Sequence, residues 1–217
     1  MPQPTCNICG GSAFIPGPGN RLSKSGQPPQ CAACRSIERH RIGRAIVDRF
    51  RDRAEFMRYS LLVWGEPGTV ARGWFTSAEQ CRADQGDEDL ARRPAGSIDF
   101  LLCANVLHHV DEPRRTIAQI ARVVSDRGLA VIAYPNPLNR TKTNDWGWPD
   151  PARGGARRII GRDFEEAYAA TVPDAIVLCV DEADPVSGDH DLVYILTRNP
   201  AWMRRLFQVE LDVRILD

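Results

Sequence analysis

Residues 97–135 have the sequence SIDFLLCANVLHHVDEPRRTIAQIARVVSDRGLAVIAYP, and this stretch decides the fold. Its pattern predicts a buried strand over 97–107, a helix over 111–128 and a second buried strand over 129–134. Pro113 in the first turn and Gly128 just after the last turn are typical helix boundaries. A strand, a helix and a strand in this order are typical of a parallel sheet whose strands are joined by a crossing helix.

The same alternation continues on both sides of this stretch. The run SLLVWGEPG, residues 60–68, predicts a strand over 60–64 and a tight turn, and a second strand is predicted over 73–79. A helix is predicted over 161–172, and strands over 175–182 and 191–198 follow with a short turn between them. The fold class is therefore α/β, a Rossmann-like open, mostly parallel sheet with a C-terminal antiparallel hairpin. Residues 135–160 are rich in Pro and Gly and predict a long loop.

Four cysteines near the start of the chain form two CxxC pairs. Cys6 and Cys9 make the first pair, and Cys31 and Cys34 make the second. Two such turns supply four thiolates in the tetrahedral arrangement that zinc prefers, so a structural Zn²⁺ site in a zinc ribbon is predicted. Four protein ligands leave no open position for chemistry, and the metal then folds a segment too small for a core of its own. Gly10 suits the left-handed conformation of such a turn.

The chain divides into four predicted segments. Residues 1–35 form the zinc ribbon, 36–58 a linking amphipathic helix with Ser36 as its N-cap, 59–200 the α/β domain, and 201–217 a tail that begins as a short helix. Residues 1–58 contain ten Arg and Lys against four Asp and Glu, and the remainder has the opposite excess. We therefore expect the basic front segment to dock on the acidic body.

Composition sets the class of protein. Of 217 residues, 43% are hydrophobic and 26% are charged, as in ordinary globular domains. No apolar run approaches the roughly 20 residues that cross a bilayer, so no membrane partner is expected. The first residues have neither a basic nor an apolar region of a secretory signal, and a cytoplasmic location follows as the expectation. In a reducing compartment, paired cysteines are metal ligands more often than disulfides.

Two motifs carry a resemblance to a known family. The chain resembles the class I S-adenosylmethionine-dependent methyltransferases of the small-molecule type. In particular it is similar to a bacterial subgroup in which a zinc ribbon runs into a Ser-x-Glu-Arg-His-Arg helix. That junction is Cys34-Arg35-Ser36-Ile37-Glu38-Arg39-His40-Arg41 here, and residues 97–135 are similar to the family's second motif. The resemblance covers most of residues 5–198.

The resemblance implies a set of cofactor-binding residues for S-adenosylmethionine. In the family, a glycine-rich turn after the first strand passes the methionine part of the cofactor, an acid ending the second strand holds the ribose, and a further acid pairs with the adenine. Aligned with this chain, these roles fall on Gly65, Glu66 and Gly68, then on Glu79, then on Asp87, with Ala104 at the end of the strand beyond. In an open parallel sheet, ligands bind beyond the carboxyl ends of the strands, where these residues are expected.

Three residues at the mouth of this predicted crevice are candidates for catalysis. They are Asn105, His108 and His109. A base is needed only if the acceptor must lose a proton. For His109, a packing role in the turn after the strand ranks ahead of catalysis. Three further side chains have two interpretations or a remote position. His40 either reaches the crevice or caps the interface of the zinc-linked helix, and Tyr134 either lines a pocket or closes the core. His190 is expected far from the crevice. The loop over 139–158, with Trp146 and Trp148, is a candidate substrate lid or protein interface.

Three functions remain open from the sequence. The first is methyl transfer to a small-molecule acceptor such as a sugar or a natural product. The second is a catalytically inactive binding or regulatory protein of the same fold, because Trp64-Gly65-Glu66-Pro67-Gly68 departs from the family's acid-x-Gly-x-Gly signature and the first helix of the sheet is short or missing. The third, nucleic-acid binding, ranks last because residues 1–35 carry three cations and Phe14 as their single aromatic.

Overall fold

The described residues form eleven strands and six α-helices. The computed structural model describes residues 4–66, 68–81, 85–135 and 137–216. The strands are β1 (Phe14–Ile15), β2 (Gln30–Cys31), β3 (Ser60–Gly65), β4 (Ser77–Cys81), β5 (Ile98–Ala104), β6 (Val124–Ala133), β7 (Asn144–Asp150), β8 (Ala156–Ile159), β9 (Ile176–Ala183), β10 (His190–Thr197) and β11 (Asp212–Leu216). The helices are α1 (Glu38–Phe50), α2 (Arg53–Phe56), α3 (Gly86–Arg92), α4 (Pro113–Val123), α5 (Glu165–Thr171) and α6 (Pro200–Gln208).

Seven of these strands form one sheet in the order β11-β9-β10-β6-β5-β3-β4. The four strands from β4 to β6 run parallel to their neighbours. β10 is antiparallel to β6 and to β9, and β11 is antiparallel to β9. The predicted fold class is confirmed: the sheet is open and Rossmann-like, with an antiparallel hairpin at its C-terminal end.

Helices cover both faces of the sheet. One apolar cluster joins α3, α4 and α5 to strand residues such as Leu62 and Leu101. The other joins α1, α2 and α6 to the intervening strand residues, such as Leu61 and Phe100. Because successive side chains of a strand point to opposite faces, buried runs of this kind are what a strand covered on both sides requires. Among the described residues, no helix has the length and apolar character needed to cross a membrane.

The predicted helix over 36–58 is shorter and broken. α1 begins at Glu38 after Ile37, so Ser36 is not its N-cap. Residue Asp52 interrupts the helix because its side chain accepts a hydrogen bond from the Glu55 amide and starts α2. α1 nevertheless buries its predicted apolar stripe, which includes Ile42 and Ile46.

Other elements also differ from the sequence prediction. The helix predicted over 111–128 is α4 and ends at Val123, because residues 124–128 already belong to β6. β4 covers Ser77–Cys81, not 73–79, because Arg72–Trp74 forms a 3₁₀ turn first. The loop predicted over 135–160 contains the antiparallel pair β7 and β8. The tail predicted as a short helix also contributes β11, which pairs with β9 at the edge of the sheet.

The N-terminal segment docks on the body at the turn between β9 and β10. Arg41 of α1 and Asp184 form a bidentate ion pair with both distances 2.7 Å, and both side chains have 0% exposure. Lys24 donates its backbone N–H to Asp189 at 2.7 Å, and the Ser25 hydroxyl donates to the Ser187 carbonyl at 3.0 Å. The structure therefore shows the docking that the charge distribution suggested.

Candidate functional site

A cleft of about 930 Å³ opens at the carboxyl ends of β3 and β5. Trp64 and Gly65 end β3, and Ala104 ends β5 and is followed by Asn105; these four residues form its base. Parallel strands end on the same side of a sheet, and the crevice beyond these ends is the usual ligand site of an open α/β sheet. The cleft is also lined by Arg39, Glu66, Gln85, Gly86, Asp87, Glu88, Val106, His108, His109, Val110, Asp111, Pro135, Gly154 and Arg157.

Gly65 makes the close approach between the two strand ends. It has φ +94°, and a Cβ added there would lie 2.0 Å from the Ala104 carbonyl oxygen. The Glu66 amide donates to that same carbonyl at 3.1 Å. No larger residue fits this position, so the glycine is required by the geometry of the turn.

Asn105 and His108 present polar atoms without partners at the base of the cleft. Asn105 has φ +59°, a conformation that asparagine tolerates, and its amide donates to the Ala133 carbonyl at 2.9 Å. Among the described residues, neither Asn105 Oδ1 nor His108 Nδ1 has a hydrogen-bond partner, although both are buried. Buried polar atoms are normally paired, so these two atoms have hydrogen-bonding capacity that the described protein groups do not use.

The imidazole of His108 is neutral at neutral pH. Burial, together with the nearby His109 and Arg39, lowers the pKa of His108 to about 4. The rings of His108 and His109 are 4.0 Å apart, and His109 is the exposed member of the pair. His108 therefore suits a hydrogen-bonding role better than that of a general base, for which a pKa near the working pH is best.

The first turn of α3 forms one wall of the cleft. A Cβ on Gly86 would lie 1.9 Å from the Trp64 ring, so only glycine lets α3 pack on the end of β3. Asp87 follows, and its Oδ1 accepts a hydrogen bond from the Thr116 hydroxyl at 2.7 Å. Burial raises the pKa of the Asp87 carboxyl. Within the described residues its second oxygen, Oδ2, has no hydrogen-bonding partner, so it can accept a hydrogen bond from a ligand.

The opposite wall comes from the pair β7 and β8. Arg157 donates its amide to the His108 carbonyl at 2.8 Å and pairs with Asp111 at 2.6 Å. Arg158 is buried; it contacts Asp145 at 2.7 Å and donates to the carbonyls of Leu107, Val110 and Asp111. These bonds fix β8 against the segment 107–111, so this part of the predicted loop is a wall of the cleft.

Glu66 is held by the first turn of α1. Its carboxylate accepts from Arg39 at 2.6 and 2.8 Å and from His40 Nε2 at 2.8 Å. His40 Nδ1 accepts from the Ile37 amide at 3.2 Å, so Nε2 carries the proton and donates. Burial opposes ionisation, yet the hydrogen bonds from His40 and Arg39 keep the pKa of Glu66 well below its usual range.

Most of the predicted site residues come together in this cleft. Seven of them line it: Gly65, Glu66, Asp87, Ala104, Asn105, His108 and His109. Glu79 and Gly68 do not belong to its described lining. Glu79 lies inside β4, because that strand continues to Cys81, and it pairs with Arg93 at 2.7 Å. Pro67, in the predicted turn, lies outside the described residues.

Sequence reasoning missed several residues at this edge of the sheet. Trp64, Gly86 and Arg157 line the cleft but were not predicted. The sequence does offer a signal for Trp64, because it precedes the required glycine at the end of β3. No short-range sequence pattern predicts that Arg157 lies in the cleft. His190, expected to be remote, starts β10 at this same edge, because an antiparallel strand begins where its parallel neighbours end. Tyr134 is buried and stacks on Tyr194, so it closes the core.

The four predicted metal ligands form a second site. The Sγ atoms of Cys6, Cys9, Cys31 and Cys34 all lie within 4.8 Å of one another. Cys6 and Cys34 are 3.7 Å apart, and Cys9 and Cys31 are 3.5 Å apart. A tetrahedral zinc with Zn–S bonds of about 2.3 Å places its sulfurs about 3.8 Å apart, so these distances fit zinc.

Groups around the cysteines also fit an anionic cluster. Ser36 Oγ lies 3.3 Å from Cys6 Sγ and 3.2 Å from Cys34 Sγ. The Gly11 amide donates to Cys9 Sγ at 3.4 Å, and Gly10 has φ +78°, as the sequence predicted. The Gly11 N–H stabilises a thiolate on Cys9, and the Ser36 hydroxyl can donate its one proton to either Cys6 or Cys34; such contacts orient the sulfurs toward a metal.

Comparison with known proteins identifies the class. The family model for a methyltransferase domain matches residues 17–171. The chain therefore belongs to this family of S-adenosylmethionine-dependent methyltransferases, and its fold is that of class I. No curated protein matches the sequence.

Solved structures show similar chains at low identity. The 1,6-didemethyltoxoflavin-N1-methyltransferase of Burkholderia thailandensis, with bound 1,6-didemethyltoxoflavin and S-adenosylhomocysteine, is 16% identical, with 74% of this chain and 78% of that chain covered and a TM-score of 0.47. A methyltransferase of Archaeoglobus fulgidus is 12% identical, with 72% and 93% covered and a TM-score of 0.43. One from Thermotoga maritima is 14% identical, with 74% and 91% covered and a TM-score of 0.39.

Proposed function

We propose that the cleft binds S-adenosylmethionine and that the protein transfers its methyl group to a small molecule. The observation that carries this proposal is the cleft itself, in which Asn105 Oδ1, His108 Nδ1 and the second oxygen of Asp87 have no partner among the described residues. Its volume of about 930 Å³ is in the range of small-molecule sites.

Each lining residue has a proposed role. Asp87 accepts a hydrogen bond from the adenine amino group, since none of the described residues bonds to its Oδ2 and its carboxyl is half buried. The turn at Gly65 and Glu66, together with Ala104, lies against the methionine part. The ribose role that the alignment gave to Glu79 would fall to its Oε1, because Arg93 donates to Oε2 at 2.7 Å, and Glu79 lies outside the described lining of the cleft.

The chain's own residues chiefly position the reactants. Bound S-adenosylmethionine supplies a methyl group on a sulfonium, which is already activated for displacement. Asn105 and His108 orient the reacting groups by hydrogen bonds, and the neutral His108 avoids placing a second positive charge beside the sulfonium. His109, at the open side, is placed to take a proton from an acceptor that must lose one.

The acceptor class proposed here is a small molecule of the sugar or natural-product type. The segment 107–111 and the β7–β8 pair narrow the cleft on one side, and α3 bounds it on the other. Such enclosure suits a compact metabolite rather than an extended polymer.

Calorimetric titration with S-adenosylhomocysteine tests the proposal. Wild-type protein should bind it, and Asp87→Ala should weaken binding by about 1–3 kcal/mol, the usual cost of deleting a charged hydrogen-bond partner. Asp89→Asn, on the same helix but outside the cleft lining, is the matched control and should bind as wild type does. Glu79→Ala reports on the ribose role, since unchanged affinity would remove that residue from the site.

A binding or regulatory protein without transferase activity is the second candidate. The turn after β3 favours this candidate, because Arg39 and His40 donate hydrogen bonds to both carboxylate oxygens of Glu66. In addition, the described residues between β3 and β4 form a 3₁₀ turn at Arg72–Trp74 and no α-helix. Absence of binding at millimolar S-adenosylhomocysteine would favour this function over methyl transfer.

We also propose that Cys6, Cys9, Cys31 and Cys34 hold one structural Zn²⁺ and that residues 1–35 form a zinc ribbon. The sulfur distances support this, and with four thiolates the ion has no open position. We propose the rest of the domain division with it: a linking segment over 36–58, a methyltransferase domain over 59–200 and a tail over 201–217. We also propose a cytoplasmic location, where thiolates stay reduced.

Elemental analysis of the purified protein should find about one zinc per chain, as a single four-cysteine site requires. Cys31→Ser should lose the metal and disorder the front segment, whereas Cys103→Ser, a buried cysteine of β5, should keep the metal. A metal-free protein with an ordered N-terminus would contradict the zinc proposal.

A further inference from the structure

A second pocket adjoins the cleft on the side of residues 4–35, which contain the four predicted metal ligands and are called the four-cysteine segment below. Its volume is about 500 Å³. Arg39 and Pro135 line both cavities, so the two share a wall. The second pocket is also lined by Arg21, Leu22 and Lys24 on one side and by Asp189, His190 and Asp191 on the other.

The position of this pocket follows from the topology. β10 runs antiparallel to β6, so its first residues lie beside the carboxyl end of β6, at the same edge of the sheet as the ends of β3 and β5. The four-cysteine segment docks on the turn that leads into β10 and covers the pocket from the other side. An acceptor in this pocket would therefore be enclosed between the sheet edge and the N-terminal segment, next to the proposed cofactor.

Most charged groups around the pocket are already paired. Arg21 forms a bidentate ion pair with Glu38 at 2.7 and 2.8 Å, and Arg39 is held by Glu66. His190 pairs with Asp181 at 2.8 Å, and Asp189 accepts from the Lys24 amide. These groups have their hydrogen bonds within the protein and are not the first candidates to bind a ligand.

Asp191 differs from them. Its carboxylate accepts a hydrogen bond from the Leu192 amide at 2.9 Å, and it forms no ion pair within the described part of the chain. Burial raises its pKa to about 6, against the opposing charges of Lys24 and Arg39. A half-buried carboxylate without a charged partner is costly unless a hydrogen-bond donor from outside meets it.

We propose that the second pocket holds the body of the acceptor while the acceptor's reacting group enters the cleft, and that Asp191 binds an amine or hydroxyl group of the acceptor. This inference rests on the proposed function, because it places the acceptor beside bound S-adenosylmethionine. It gives the four-cysteine segment a role in acceptor recognition through the wall formed by Arg21, Leu22 and Lys24. The predicted acceptor is a polar small molecule that presents an N–H or O–H donor.

Probes that reach from the cofactor site into the pocket test this without a known acceptor. S-adenosylhomocysteine analogues, with the sulfur replaced by a nitrogen that bears an aminoethyl, aminopropyl or aminobutyl arm, carry an ammonium group toward Asp191. Matched analogues end the same arms in a methyl group. For at least one arm length, wild-type protein should bind the ammonium analogue about tenfold more tightly than its methyl-ended counterpart, as one charge-assisted hydrogen bond provides.

Two variants assign that preference to Asp191. Asp191→Asn should lose it while its affinity for S-adenosylhomocysteine itself stays unchanged, which also shows that the variant is folded. Glu182→Gln is the control, since Glu182 is the cross-strand neighbour of Asp191 but pairs with Arg49 and lies outside the pocket lining. It should keep the preference.

The outcomes separate this inference from the proposed function. Equal affinity for both kinds of arm at every length, or a preference that survives in Asp191→Asn, overturns the acceptor site while cofactor binding stands. If S-adenosylhomocysteine itself does not bind to wild-type protein, the proposed function fails and the acceptor site is rejected with it.

Discussion

Two glycines set the shape of the cleft at the scale of single residues. Gly65 lets the end of β3 approach the Ala104 carbonyl, and Gly86 lets α3 lie on the Trp64 ring. Both contacts are closer than any Cβ allows. These two glycines bring the base and one wall of the cleft together. Neither glycine has a side chain that could indicate a function.

The first prediction concerns Gly86→Ala. Its Cβ would lie 1.9 Å from the Trp64 ring, so α3 must shift, and we expect the free energy of unfolding to fall by about 1–3 kcal/mol. Gly73→Ala is the control, because its Cβ would have no heavy atom within 4 Å. Urea unfolding of both variants measures the effect, and equal midpoints would show that α3 does not pack as described.

The second prediction concerns His108 and pH. Its pKa is lowered to about 4 in the folded protein from 6.5 in the unfolded chain, so its contribution to stability is present above pH 6.5 and is lost as the pH falls toward 4. Between pH 7 and pH 5 wild-type protein should therefore lose about 2 kcal/mol that His108→Gln does not lose. Unfolding curves at the two pH values measure the difference between the proteins. Parallel losses would mean that His108 is not buried in its neutral form.

Residue patterns predicted part of this site. The CxxC spacing correctly predicted that the four cysteines lie close together. The predicted strand ends correctly placed Gly65, Ala104 and Asn105 at the cleft. The alignment placed Glu79 at a strand end, but β4 starts later and runs two residues further, so Glu79 lies within the strand. Asp191 was not predicted, since the direction of β10 depends on its pairing with β6 across the sheet.

At the scale of elements, α1 supports the turn that follows β3. Arg39 and His40 in its first turn bind Glu66, and the described residues between β3 and β4 provide no α-helix of their own for this purpose. α1 also buries its apolar stripe against the sheet, so its position is fixed independently of Glu66. The N-terminal segment thus stabilises the turn that the cofactor would contact.

The third prediction tests this support. Arg39→Ala removes two of the three hydrogen bonds to Glu66, and we expect affinity for S-adenosylhomocysteine to fall about tenfold, as loss of a charged partner would cause. Arg49→Ala, on the same helix but paired with Glu182, should leave that affinity unchanged. Calorimetry measures both. If Arg39→Ala binds S-adenosylhomocysteine as tightly as wild-type protein does, then α1 does not support binding through the turn at Gly65 and Glu66.

Elements with regular patterns were predicted well, and irregular ones were not. The apolar runs of β3, β5, β9 and β10 located these strands to within a few residues. The pair β7 and β8 stayed hidden because its sequence is rich in Pro and Gly, and its place depends on the long-range contacts of Arg158 with the segment 107–111. β11 was missed because an edge strand with half-exposed residues resembles a tail.

At the scale of the whole molecule, one buried ion pair joins the N-terminal segment to the body. Arg41 and Asp184 are fully buried, and Arg41 also donates to the Ser36 carbonyl at 3.1 Å, beside the cysteines. The opposite charges of the two halves predicted docking. They did not predict that the main contact would be an ion pair, Arg41–Asp184, with no exposure to water. A pair of this kind tolerates the loss of neither partner.

The fourth prediction follows. Asp184→Ala leaves the Arg41 guanidinium buried without its partner, and we expect the free energy of unfolding to fall by about 3–5 kcal/mol. Asp181→Asn breaks the exposed pair with His190 and should cost about 0–1 kcal/mol. Chemical unfolding of the purified protein measures both. Similar losses in the two variants would show that the Arg41 pair does not carry the docking.

Hydrogen–deuterium exchange with and without S-adenosylhomocysteine tests the central claim, that the cofactor binds at the ends of β3 and β5. The ligand should slow exchange in residues 64–66, 85–88 and 104–109, which surround the cleft, and leave the outer strands β9 and β11 unchanged. Protection confined to other segments, or none at saturating ligand, would contradict the assignment of this cleft to the cofactor.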